Sequence, residues 1–98
     1  MLSEKYEIKS GNGFGHYLND ACDKENFHII KFLIKCGMDV NETDGHRVSP
    51  LMISCRRGNE SILKYLIEHG ANINVQNYRG QSPLIIACEN KNNNIINI

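Results

Sequence analysis

The heptads "SPLMISC" (Ser49 to Cys55) and "SPLIIAC" (Ser82 to Cys88) stand thirty-three residues apart, each a proline at the head of a run with helical spacing. Proline breaks a helix interior because it lacks an N–H and clashes with the preceding turn, but it suits the first helical position. A start signal repeated at a fixed interval implies a structural unit of that length. The same offset aligns Leu18, Leu51 and Leu84, then Cys22, Cys55 and Cys88, then Asn26, Asn59 and Asn92, then Ile29, Ile62 and Ile95. Gly37 meets Gly70, and Asn41 meets Asn74. In the first rung the pattern is degenerate, with Tyr17 in the proline's column and His16 in the serine's.

Local chemistry then fixes the unit. Ser49 is placed to cap a helix from Pro50 to about Arg57, with Leu51, Ser54 and Cys55 on one side, and Gly58 can end it in a left-handed turn. Asn59 can cap a second helix, whose apolar stripe is Ile62, Leu63, Leu66 and Ile67, with Lys64, Glu68 and His69 off it. Gly70 stops that helix, and "ANINVQN" carries the turn formers that bring the chain back. Two short antiparallel helices cannot hide such a stripe by themselves, so neighbouring units must stack. The expected fold class is all-α, a solenoid of stacked helix pairs joined by hairpin turns.

These residues resemble the ankyrin repeat, whose pattern runs approximately D-x-x-G-x-T-P-L-H-x-A-x-x-x-G, then an apolar helix, then G-A-D-V-N. The pieces that carry the likeness are Ser49-Pro50-Leu51, Gly80 to Leu84 with Ala87, Gly58, Gly37 to Asn41, and Gly70 to Asn74. On this alignment residues 1–98 form a single array: 1–10 the partial tail of a preceding repeat, 11–41 a degenerate repeat, 42–74 a full repeat and 75–98 a truncated one. Tyr6 to Lys9 resembles a hairpin tail, and Ile95, Ile96 and Ile98 would have little cover, so a longer array is expected. The likeness fails in three columns. The family's histidine is replaced by Asn19, Met52 and Ile85, so its hydrogen bonding to the hydroxyl cannot be made in the usual way and local rigidity is expected to fall. Arg47 and Phe14 stand where Gly80 has glycine, and Glu25 and Lys91 where Gly58 does; a positive φ there costs on the order of 1 kcal/mol each.

Eleven basic and eleven acidic side chains cancel, which removes the electrostatic footprint of a nucleic-acid binder. No stretch approaches a membrane span, and "MLSEKYEIKS" has no apolar core of signal-peptide length, so an intracellular chain, cytoplasmic or nuclear, is expected. Cys22, Cys36, Cys55 and Cys88 contain no C-x-x-C pair and read as free thiols. Cys22, Cys55 and Cys88 are expected to be small core residues, because stacked helices lie about 8–10 Å apart while a disulfide needs Cα atoms within roughly 7 Å. Cys36, in the column of His69, is expected to be exposed.

"GNGFGH" (Gly11 to His16) lacks the last glycine of a dinucleotide loop and the G-K-[ST] of a P-loop, and reads as a flexible turn feeding the first helix. His16, His28, His46 and His69 show no metal-helix spacing. No cofactor, metal or catalytic residue is therefore assigned, and the chain is not expected to be an enzyme.

What stacking leaves free is a recognition surface, made of columns that vary between rungs on the turn and first helix. The resemblance implies that this is the concave side. The residues are Asp23 and Lys24 in the first repeat, His46, Val48, Arg56 and Arg57 in the second, and Tyr78, Arg79, Gln81 and Glu89 in the third. Arg and Tyr are enriched at interface hot spots. The expected role is non-catalytic binding of a partner protein of unspecified identity by a monomeric array; a structural spacer within a longer chain fits the same columns. Arg56 and Arg57, flanked by Asp23 and Glu89, could also neutralise one another locally. The resemblance places Asn41 and Asn74 where ankyrin-type asparagines are hydroxylated in some organisms, although asparagine suits such turns unmodified.

Overall fold

A computed structural model of the chain describes residues 14–90, which form five helices and no strand. These are α1 (Phe14–Asp23), α2 (Phe27–Lys35), α3 (Pro50–Arg57), α4 (Glu60–Glu68) and α5 (Pro83–Glu89). Helix α1 packs on α2 and α3 on α4, giving two antiparallel pairs; α3 lies between α1 and α5.

The start signals act as their chemistry requires. Ser49 and Ser82 sit extended, at ψ 162° and 166°, because the following proline disfavours the helical region for the residue before it. Each serine then accepts a hydrogen bond from the N–H three residues on, of Met52 and Ile85. Asn26 and Asn59 do the same for Ile29 and Ile62 at the second helices. Tyr17 imposes no such restriction on His16, and α1 accordingly begins three residues ahead of the proline's column. Phe14, Gly15 and His16 are thus helical, which corrects both the flexible turn expected for them and the positive φ considered for Phe14.

Helix α3 shows what stacking does to a short helix. Pro50 to Cys55 are all buried, not only one stripe of them, since neighbours close on the helix from α1, α4 and α5. The core runs through Leu18, Ala21, Cys22, Ile30, Leu33, Leu51, Ile53, Cys55, Ile62, Leu63 and Leu66. On the outer helices Phe27 meets Tyr65 edge-on at 5.4 Å, with the Lys31 ammonium 4.4 Å from the Phe27 ring centre. Such an aromatic pair adds about 0.5–1.5 kcal/mol beyond its buried area.

The third rung departs from the column rule. Leu84 is 53% exposed and Cys88 is also exposed, although Leu18, Leu51, Cys22 and Cys55 are buried in the same columns. The expectation of a buried Cys88 is therefore corrected. In the earlier rungs helices cover these two columns from two sides, whereas α5 packs on α3 alone among the described helices, a contact that covers Pro83 and Ala87 but leaves Leu84 and Cys88 open. The expectations for Tyr6 to Lys9, Lys91, Asn92, Ile95, Ile96 and Ile98 lie outside the described residues.

Two non-glycine residues hold left-handed turns, Glu25 at φ 56° and Arg47 at φ 61°. They match Gly58 at 72° and Gly80 at 76° in the next rung, so the backbone requirement persists where the glycine has been replaced. Arg47 closes a tight hairpin in which Asp44 N–H donates to Val48 C=O and Asp44 Oδ1 accepts from the N–H groups of His46 and Val48. Asn77 repeats that arrangement, accepting from Arg79 and Gln81. Tyr78 N–H donates to His46 C=O, tying one hairpin to the next. Asn41 ties the turns behind them: its Nδ2 donates to Gly70 C=O at 3.0 Å and its Oδ1 accepts from Asn72 N–H at 2.7 Å.

Candidate functional site

The column of Asn19, Met52 and Ile85 sets the inner surface. Asn19, only 7% exposed on α1, donates its Nδ2 to Val48 C=O at 2.9 Å and so bridges the first repeat to the hairpin of the second. The lost histidine network is thus replaced by a different link, though Asn19 Oδ1 remains buried without a partner. Met52 is buried and Ile85 exposed, neither supplying a polar link of this kind.

Between the 77–81 hairpin and the helices α3 and α5 lies a groove of about 230 Å³. Val48, Met52 and Ile86 give it apolar surface, and Asn77, Gln81, Glu89, Asn90, Arg56 and Arg79 its polar groups. Most of those polar groups already satisfy one another. Asn77 Nδ2 donates to Gln81 Oε1 at 3.0 Å, and Gln81 Nε2 donates to Glu89 Oε1 at 2.6 Å. Asn90 Nδ2 approaches Arg56 C=O at 3.4 Å.

Of the ten residues singled out in the sequence, Val48, Arg56, Arg79, Gln81 and Glu89 come together around this groove. Asp23 lies beside it, accepting from Nε and Nη2 of Arg57 at 3.1 and 3.0 Å, with Arg56 Nη2 at 3.7 Å. The neutralisation expected of Arg57 is therefore made by Asp23, while Glu89 is engaged by Gln81. Such half-exposed ion pairs contribute about 0–1 kcal/mol each. Lys24, one residue past the end of α1, pairs with Asp20 of that helix at 3.2 Å and does not line the groove. His46 and Tyr78 sit on the hairpin tips, Tyr78 71% exposed, with the Arg47 guanidinium 5.8 Å from its ring centre. Sequence reasoning passed over Met52, Asn77, Ile86, Asn90 and Arg47. Asn77 could have been found, because an asparagine four residues before Gln81 is placed to cap the hairpin.

The remaining reactive groups are quiet. Burial pushes the Cys22 thiol up from 9.0 to about 12, a hydrogen bond with Ser54 opposing and Asp23 reinforcing the shift; burial pushes Cys55 up to about 12. Neither is a thiolate at neutral pH. Cys36 and Cys88 are exposed free thiols. Among the described residues no group of three or more His, Cys, Asp or Glu side chains is arranged to hold a metal, and no helix is long and apolar enough to cross a membrane.

Residues 18–98 match the family model for ankyrin repeats, in three copies. The chain belongs to the ankyrin-repeat family. Ankyrin repeats generally serve as protein-interaction modules and are generally not enzymes. No protein of curated function matches the ankyrin chain.

Proposed function

We propose that this ankyrin array is a non-catalytic module that grips a partner protein with the concave side formed by α3, α5 and the hairpins. The observation that carries the reading is the convergence of Arg56, Arg79, Gln81, Glu89 and Val48, drawn from two repeats, on one groove. The exposed Tyr78 and Arg57 extend the surface on either side with residue types enriched at interface hot spots. The free thiols agree with a reducing intracellular compartment, cytoplasmic or nuclear.

Alanine at Arg56, Arg57, Tyr78 and Arg79 together tests the reading. All four are exposed, so the melting temperature should stay close to that of the parent, while partner capture from a native extract should fall at least tenfold. Unchanged capture would assign the contact to another face; no capture by either form, with altered repeat number still changing the activity of the full chain, would favour a spacer.

A further inference from the structure

The groove's polar groups differ in what they have left to offer. Asn77, Gln81 and Glu89 form a relay, amide to amide to carboxylate, that ends on one oxygen of Glu89, and the Asn90 side chain is turned toward Arg56 C=O. Two guanidiniums stand beside them. That of Arg79 makes no hydrogen bond or ion pair among the described residues. That of Arg56 has as its acidic neighbour Asp23, at 3.7 Å, whose Oδ1 already takes two hydrogen bonds from Arg57. Each guanidinium carries five N–H donors and no acceptor. These two guanidiniums outnumber the one carboxylate of the lining, that of Glu89, and carboxylates match them in charge and in bidentate geometry. Below the rim, Val48 and Ile86 are only half-buried and Met52 closes the floor, so the groove also has apolar surface to cover.

Building on the interaction role proposed above, we propose that the groove takes an extended acidic segment of the partner protein, seating one apolar side chain on Val48 and Ile86 with flanking carboxylates on Arg56 and Arg79. Glu89 narrows the choice further. Its carboxylate, held by Gln81, repels an acid placed directly on it, so the partner's carboxylates are seated on the guanidiniums and not on Glu89.

The test is selection of short random peptides displayed on phage against the purified chain, followed by fluorescence-polarisation titration of the enriched sequences. The expected consensus is an apolar residue flanked by Asp or Glu. Arg56→Glu and Arg79→Glu should each weaken its binding by about tenfold or more, and a peptide with Lys in place of its acids should recover binding to the reversed chain. Unchanged thermal melts show that the variants fold. A neutral or basic consensus that still loses binding on Ile86→Asp would overturn the acidic occupant and leave the interaction role standing. Enrichment of no peptide, or preferential binding of a short single-stranded RNA, would overturn both.

Discussion

The leucine column offers three identical truncations in three different surroundings. Leu18 and Leu51 are 0% and 2% exposed, whereas Leu84 is 53% exposed. For the first two, Leu→Ala removes a fully buried side chain and leaves a cavity in packing that relaxes only in part, at about 2.7–5 kcal/mol. For Leu84, roughly half of the 1.5–3 kcal/mol for complete burial is at stake, no closed cavity forms, and alanine's better helix propensity returns a few tenths, leaving on the order of 1 kcal/mol. A domain of this size is stable by about 5–15 kcal/mol, so Leu51→Ala removes about a quarter to a half of the total near the middle of that range. Urea titration followed by circular dichroism, with the slope checked for constancy, measures all three. The expected order is Leu51→Ala and Leu18→Ala far below the parent, Leu84→Ala close to it. If Leu84→Ala cost as much as Leu51→Ala, the outer face of α5 would have to be packed, and the account of burial by two-sided stacking would be wrong.

Two further outcomes follow from the turns and the thiols. Arg47 and Gly80 share a column and a left-handed backbone, so Arg47→Gly should raise the unfolding free energy from urea titration by about 1 kcal/mol and Gly80→Arg lower it by a similar amount. A drop on Arg47→Gly would mean that the contact of Arg47 with Tyr78 outweighs the backbone strain. Cys22 and Cys55 hold their protons up to about 12, while an exposed thiol releases its own near 9.0. The unfolded chain therefore binds fewer protons between those values, and stability, whole below pH 9.0, should fall as the pH rises toward 12, by about 1.4 kcal/mol per unit for each thiol. Thermal melts of the parent and of Cys22→Ala should show a shallower alkaline loss in the variant, and a neutral-pH thiol reagent should label Cys36 and Cys88 in the folded chain but Cys22 and Cys55 only on unfolding.

Where a local rule acts alone, the sequence was a sufficient guide. Helix α3 runs from Pro50 to Arg57 as the serine–proline start and Gly58 stop dictate, and the glycine columns forecast the left-handed turns at Glu25 and Arg47. Where a rule was missing, it misled: without a proline at Tyr17 nothing bars the helix from extending back to Phe14. Cys88 shows a different limit, because membership of a column says which way a side chain points and not whether a neighbour is there to cover it. The variable columns named five of the nine residues that line the groove, but the pairing of Asp23 with Arg57 across repeats and of Glu89 with Gln81 within one depends on side-chain reach, to which spacing along the chain is blind.

The Asn41 side chain meters the step from one turn to the next, with a donor at one end of its amide and an acceptor at the other. Hydrolysis of that amide in an ageing molecule would exchange its nitrogen for oxygen and set two lone-pair-bearing atoms against each other where 3.0 Å now separates Nδ2 from Gly70 C=O. Neighbouring turns would then be pushed apart at the tips while the leucine layers beneath stayed closed, so chemical wear at this one position would first change the pitch of the ladder and only later its stability.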